Sequence, residues 1–331
     1  MKKIAIVLLM ALALVSMATA QAVVSGEFEY GMMTNADQFT QEFDKLEVDI
    51  NADLDEYNSF SMEIEAPSAA NLAGFNGYLD VTWATVTTDW GMLLDLPVGV
   101  STTLGYNDFS YGDEIGVTGW GLEDMGGLGL NKEGAMKVDI TASEMISLMA
   151  AAAFDPEKTA TDTYDMVFGA TVNVAPATII VDYAIVDDKA SFGTEAWAGF
   201  ALGGDMTLDA GGSFTYDMDA ETYVYGFGAG FGVAGAVLGV SFDGNDDVAI
   251  QDLGFDVNYG LTDEVSADVG VLYDVDGSEL YGVDFSVAYA AGAVSYRLGY
   301  LYSDGMGGDA NYNAESANSD GGVYFNMGLD F

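Results

Sequence analysis

Apolar and polar residues alternate with a period of two along most of this chain, from Val23 to its final residue. In the clearest stretch Leu46, Val48, Ile50, Ala52 and Leu54 alternate with Glu47, Asp49, Asn51, Asp53 and Asp55. Successive side chains of an extended strand point to opposite faces, so each stretch of this kind predicts a strand with one apolar and one polar face. Val24, Gly26, Phe28 and Tyr30 stand in the same way against Ser25, Glu27 and Glu29, and Phe60, Met62, Ile64 and Ala66 against Ser59, Ser61, Glu63 and Glu65. Leu79, Val81 and Trp83 oppose Asp80 and Thr82, and Met136, Val138, Ile140 and Ala142 oppose Lys137, Asp139, Thr141 and Ser143. Ile146 to Phe154 and Thr194 to Leu202 read as strands whose facing is ambiguous. At the end of the chain Val323, Phe325, Met327, Leu329 and Phe331 alternate with Gly322, Tyr324, Asn326, Gly328 and Asp330.

About eighteen such segments follow one another, each roughly seventeen residues after the last, which suits a tilted bilayer-crossing strand of about ten residues plus a connection. The connections alternate in kind. Ala175-Pro176, Gly203-Gly204-Asp205, Ala234-Gly235, Thr262-Asp263-Glu264 and Ala290-Ala291-Gly292 are tight, whereas 31–44, 107–134 and 303–321 are long. Short turns at one rim and longer loops at the other are the asymmetry of a membrane barrel, and an even strand number puts both chain ends at the same rim. In hydrocarbon no water reaches the N–H and C=O groups of a sheet edge, so such a sheet has to close. The expectation is all-β: one antiparallel up-and-down transmembrane barrel of 16–18 strands, with the last strand paired to the first and Phe331 beside Phe28. A soluble sandwich would give the same local alternation. The run of successive hairpins and the aromatics near strand ends favour the barrel. Tyr106, Tyr216, Tyr223, Tyr273, Tyr281, Tyr289, Tyr302 and Trp83 would form its interfacial girdles.

Composition agrees with strands rather than helices. Half of the 331 residues are hydrophobic, with 42 Gly, 19 Tyr, 18 Phe and only 4 Pro. Mean hydropathy is +0.21. Beyond the first twenty residues no apolar run is long enough to span a bilayer as a helix. Those first residues read as a secretory signal: Lys2 and Lys3, an apolar stretch from Ile4 to Val15, then Ala18-Thr19-Ala20 as a cleavage site. Residues 1–20 would be removed, and 21–331 would form a single barrel domain. Cysteine is absent, so disulfides play no part.

Charge sets the partners. There are 53 acidic residues against 8 basic ones and no histidine, a formal net charge of −45. Nucleic acid binding requires a basic footprint and is excluded as a role, while cations are natural counterparts of such a molecule. Without His or Cys, Ser-His-Asp triads, thiol nucleophiles and zinc sites built on those ligands are unavailable. No enzymatic activity or cofactor is expected. The run Gly230-Phe231-Gly232-Val233-Ala234-Gly235 fits G-x-G-x-x-G, but its glycines continue a strand alternation and another strand follows, so it is not a dinucleotide fingerprint. Asp243-Gly244-Asn245-Asp246-Asp247 and Asp274-Val275-Asp276-Gly277 resemble fragments of calcium loops without the terminal bidentate Glu, so solvated hairpin tips with at most weakly bound calcium are expected.

The parity of the acids carries the functional signal. Glu47, Asp49, Asp53, Glu63, Glu65, Asp80, Asp139, Asp165, Asp182, Asp209, Asp252, Asp256, Asp268, Asp284 and Asp330 all fall opposite the apolar set. Ionised side chains facing lipid are destabilising, so these would line the inside of the barrel, and 16 to 18 strands leave an aqueous channel there. Of the basic residues, Lys137 and Arg297 take inward positions. Acidity as an adaptation to a saline habitat or for solubility alone is the plainer reading of the same charges.

The closing segment, ending on Phe331, resembles the last strand of Gram-negative outer-membrane β-barrels. In that family the terminal Phe is the mark read by the barrel assembly machinery, so the resemblance implies an outer-membrane location among outer-membrane lipids. The long acidic stretch 107–134, with Asp108, Asp113, Glu114, Glu123, Asp124 and Glu133, follows the fifth segment. Its position resembles that of the constriction loop of general diffusion porins, which folds into the lumen opposite a cluster of wall arginines. With only Arg297 and Lys137 directed inward here, the resemblance implies a constriction that is negative throughout. The function expected is passive diffusion of small hydrophilic solutes, with preference for cations. A non-conducting structural or adhesive barrel and a substrate-specific channel are the alternatives, and a homotrimer is one assembly the resemblance allows.

Overall fold

The computed structural model describes residues 22–34, 39–66, 80–108, 131–153, 164–246, 250–303 and 321–330. These form eighteen strands and one short helix. The first nine strands are β1 (Ala22–Thr34), β2 (Phe39–Asp53), β3 (Asn58–Ala66), β4 (Asp80–Asp89), β5 (Gly99–Asp108), β6 (Asn131–Ser143), β7 (Ile146–Ala153), β8 (Met166–Val174) and β9 (Ala177–Val186). The others are β10 (Lys189–Gly203), β11 (Met206–Asp217), β12 (Thr222–Val233), β13 (Ala236–Asn245), β14 (Asp252–Gly260), β15 (Val265–Asp274), β16 (Glu279–Ala291), β17 (Val294–Ser303) and β18 (Gly322–Asp330). The helix α1 (Trp90–Leu93) lies between β4 and β5, with Asp89 as its N-cap accepting from the Met92 amide at 2.8 Å.

Each strand pairs antiparallel with the next in sequence, and β18 pairs with β1, so the single sheet closes on itself. Closure removes the two free edges of the sheet, whose unpaired N–H and C=O groups would each cost several kcal/mol in hydrocarbon. The turns at the rim holding the chain ends are tight for reasons written in the sequence. Ala234 and Gly235 both take positive φ (51° and 83°), the two-residue geometry whose twist suits a hairpin. At the 54–57 turn the Asp55 carboxylate accepts from the Tyr57 and Asn58 amides at 2.8 and 2.9 Å. At the opposite rim the described strands end at Thr34 and Phe39, Ala66 and Asp80, Asp108 and Asn131, and Ser303 and Gly322.

The alternation resolves into two faces. Asp284 and Phe285 are neighbours on β16, yet the first is 8 % exposed and the second 51 %. Leu104, Phe168, Leu238, Phe255, Leu298 and Val323 are exposed in the same way as Phe285, forming an apolar outer surface. On β3 and β4 that outer face packs on itself, with Phe60, Met62 and Ala84 buried against Ile50, Ile64 and Val86.

Several sequence expectations need correction. The stretch 31–44 is not a long connection, because β1 runs to Thr34 and β2 begins at Phe39, with an irregularity at Glu29/Tyr30. The stretch 107–134 is shortened at both ends by β5 and β6. Trp83 is not on the outer face with Val81. A bulge lets Glu63 pair with Trp83 while Ile64 pairs with Val81, and the extra residue, Thr82, reverses the parity that follows. Closure holds, but Phe28 pairs with Leu329, which is two residues short of Phe331 and keeps the same parity. Asp243 and Asp274 are strand residues of β13 and β15 rather than hairpin tips. Phe331 and residues 1–21 lie outside the described residues.

Candidate functional site: the inner wall

Directly paired residues of an antiparallel sheet share a face, so the strand register maps the inner wall row by row. One row runs Asp139, Met149, Gly169, Asp182 and Gly193 across β6 to β10. A second joins Glu195, Ser213, Gly226, Asp243, Asp252 and Asp274 across β10 to β15. A third holds Asp209, Gly230, Gly239, Asp256, Gly270, Asp284 and Leu301. Near the chain ends Asp330 pairs with Glu27, Glu27 with Glu47, Glu47 with Glu65 and Glu65 with Asp80, while Asp49 pairs with Glu63. The sequence-predicted acids therefore share one face. Asp53 sits at the end of β2, opposite Ser59. Asp165 precedes β8 and is buried, its carboxylate accepting from the Asp187 amide at 2.9 Å, which makes it a structural cap at the rim. Asp108 ends β5, whereas Asp113, Glu114, Glu123 and Asp124 lie outside the described residues.

The acids gather in two arcs. One spans β18, β1, β2 and β3, where carboxylate oxygens of Glu47, Asp49 and Glu63 lie within 4.8 Å of one another. The other spans β13 to β16. Between them, the inner face of β6 to β9 carries Ala135, Met149, Ala151, Ala153, Val167 and Ala184, packed together and buried. Lys137 is committed to Asp139 by an ion pair at 3.2 Å. Arg297 lies in the row of Ala288 and Asn326, within electrostatic reach of Asp284. As the sequence suggests, the wall is overwhelmingly anionic.

Glycine opposite a polar residue recurs along this wall. A Cβ at Gly193 would fall on the carboxylate of Asp182, and one at Gly199 would lie 2.7 Å from Asp209 Oδ1. Thr207 occupies the space over Gly232 and Ser295 that over Gly328. Tyr324 lies over Gly299 and donates to Asp284 Oδ1 at 3.0 Å. Polar side chains thus lie flat along the wall, across the bare backbone of the next strand, instead of projecting into the lumen.

Sequence reading missed Glu195, Asp243 and Asp274 as wall residues. Trp197 shares the inward parity of Glu195 and blurs the alternation of β10, while the Gly-Asn and Val-Asp neighbours of Asp243 and Asp274 imitate turns. Their charge alone, counted in register with Asp252, would have identified them.

No family model matches the chain, and no curated protein sequence does. Among solved structures, mutants of the Rhodopseudomonas blastica porin superpose with TM-scores of 0.54 and 0.51 at 12 % identity, covering 94 % of this chain and all of the porin. Acinetobacter baumannii OccAB2 superposes with a TM-score of 0.58 at 9 % identity, over 95 % of this chain and 98 % of that one. At such identities the likeness is one of fold alone: a closed antiparallel β-barrel.

Proposed function

We propose that this protein is an outer-membrane channel for passive diffusion of small hydrophilic solutes, and that it favours cations over anions. The observation that carries the reading is the segregation of faces: apolar residues outward on every clear strand, and carboxylates inward, outnumbering the basic residues Lys45, Lys137, Lys189 and Arg297 that share their register among the described residues. The outward residues would contact outer-membrane lipid, where charged residues are destabilising. An eighteen-stranded barrel is wide enough for a water-filled lumen. The Debye length near physiological salt is about 8 Å, so wall charge is felt across much of a pore of that size. Fixed carboxylates then raise the local cation concentration and repel anions, without any step of chemical conversion.

The negative constriction expected of the stretch 107–134 belongs to the same proposal, with Asp113, Glu114, Glu123 and Asp124 outside the described residues. Export by the N-terminal segment and assembly through Phe331 belong to the same proposal. Planar-bilayer recording of the purified barrel under a salt gradient tests it. A reversal potential of the sign set by cations is expected; anion preference would overturn the mechanism, and absence of conductance would overturn the channel itself.

A further inference from the structure

The connection between β4 and β5 is longer than the other described turns at the rim that holds the chain ends. It spans 90–98, beginning with α1, whereas neighbouring turns along this rim occupy only 54–57, 144–145, 175–176 and 204–205. Asp95 is its one charged residue. Trp90, Met92, Leu93, Leu94 and Leu96 are all exposed, Met92 to 60 % and Leu94 to 59 %. Single exposed apolar residues are ordinary, but a contiguous run of them marks a surface that meets something other than water.

The geometry of the turn identifies lipid as that occupant. Ser101 and Thr103 pair with Asp139 and Lys137 of the inner wall, so Thr102 between them, paired with Thr88 and Val138, faces outward. The Trp90 indole N–H donates to Thr102 Oγ1 at 2.9 Å, which brings the indole to the outer face of the barrel. Leu104, half exposed, continues that face along β5, so the apolar run of the turn joins the apolar outer surface. The hydroxyl of Thr88, also outward, donates to Asn58 Oδ1 at 2.7 Å. Backbone donors of the turn are satisfied within it. The Met92 amide donates to the Asp89 carboxylate at 2.8 Å, and the Leu94 and Leu96 amides donate to the carbonyls of Trp90 and Gly91 at 3.0 and 2.9 Å. Internal pairing of this kind is what a segment needs before it can leave water. The turn is also firmly seated. Gly91 is buried, and a Cβ there would lie 3.0 Å from the Val98 carbonyl oxygen.

We propose that 90–96 is an interfacial anchor that lies against a phospholipid surface at the chain-end rim. Tryptophan is suited to that boundary, with an apolar ring on one side and an N–H that needs a partner on the other. Amphipathic segments of this type sink about 5–10 Å into the boundary between headgroups and acyl chains. The anchor would fix the depth of this rim in its leaflet. The inference rests on the reading of this protein as a membrane barrel.

Spin-label accessibility in phosphatidylcholine vesicles tests it. The chain has no cysteine, so Leu94→Cys places a single nitroxide on the turn of an otherwise wild-type barrel. Leu298→Cys reports the outer face, and Asp263→Cys reports a polar turn at the same rim. Each variant is first checked for folding by its heat-modifiable migration, and Met92→Cys replaces Leu94→Cys should that variant not fold. Oxygen partitions into the bilayer, while a nickel chelate, loaded on both sides, stays in water. The label at 94 should side with 298, reached by oxygen and shielded from nickel, and the label at 263 should be reached by nickel. Nickel access at 94 with oxygen access at 298 would overturn the anchor and leave the membrane barrel standing. Nickel access at both positions would overturn both. Shielding of 94 from oxygen and nickel alike would mean that protein covers the turn, and would overturn the anchor as well.

Discussion

The hydroxyl of Tyr324 on β18 reaches Asp284 on β16, at 3.0 Å, by lying across Gly299 of the strand between them. A hydrogen bond spanning three strands is possible only because the middle strand offers no side chain at that position. It ties the last strand of the barrel to its neighbours on the inside, close to where β18 and β1 close the sheet. Removing the hydroxyl with Tyr324→Phe takes a donor from a buried carboxylate, and a loss of about 1–3 kcal/mol is expected. Urea unfolding in lipid vesicles measures it; a change below about 0.5 kcal/mol would mean that the bond contributes little.

The same arrangement at Asp182 predicts a non-additive pair. Gly193→Ala puts a methyl group where the Asp182 carboxylate lies, so it should destabilise the barrel by about 1–3 kcal/mol, the usual range for overpacking. In an Asp182→Ala background the methyl group has room, and most of that penalty should vanish. A double-mutant cycle decides, since contacting residues couple and independent ones add within about 0.5 kcal/mol.

The outer face supplies a prediction of opposite kind. Leu298 is among the most exposed outward residues, next in sequence to inward Arg297. Leu298→Arg should cost about 2–4 kcal/mol if it sits at bilayer mid-depth. Refolding titrations into lipid vesicles and into detergent compare it with wild type; equal stability would contradict the lipid-facing assignment.

One pH effect follows from the 54–57 turn, which is outside the strands. Hydrogen bonds from the Asn58 side chain and from the Tyr57 and Asn58 amides hold the Asp55 carboxyl below its ordinary value of 3.8. A depressed folded-state value means that the stabilisation is present above 3.8 and is lost as pH falls through the folded value. Asp55→Ala should therefore lower stability at neutral pH, and its difference from wild type should disappear on acidification below 3.8. A difference that persists at lower pH would point to lost packing instead.

How far the barrel can be read from sequence depends on local regularity. Leu46 to Asp55 announces its strand and its facing because every second residue is charged or amidated, and the pairing of Glu47 with Glu65 follows that parity. Trp83 could not be placed in the same way. One inserted residue, Thr82, is invisible to a period-of-two reading, yet it sends the following side chains to the other face. Most wall acids were legible from charge, whereas the glycines over which Asp182 and Asp209 lie were not. Asp182 and Gly193 lie on different strands, and only the register brings them together.

Charge reduction tests the mechanism locally. A unit charge acts at about 8 Å in water with roughly 0.5 kcal/mol, near a two-fold effect on local ion concentration. Replacing Glu47, Asp49 and Glu63 by their amides should lower the cation-to-anion permeability ratio by about four- to six-fold per residue before screening, because each charge raises cations and lowers anions by the same factor. Bilayer recordings at fixed salt give the ratio; an unchanged value would remove this arc from the conduction path.

The central claim is that inward carboxylates select cations, and the reversal potential of the wild-type barrel under a salt gradient tests it most directly. It should take the sign of cation selectivity at about 0.1 M salt and shrink toward zero near 1 M, as the Debye length falls from about 10 Å to about 3 Å. A reversal potential of anionic sign, or one independent of salt concentration, would contradict the account.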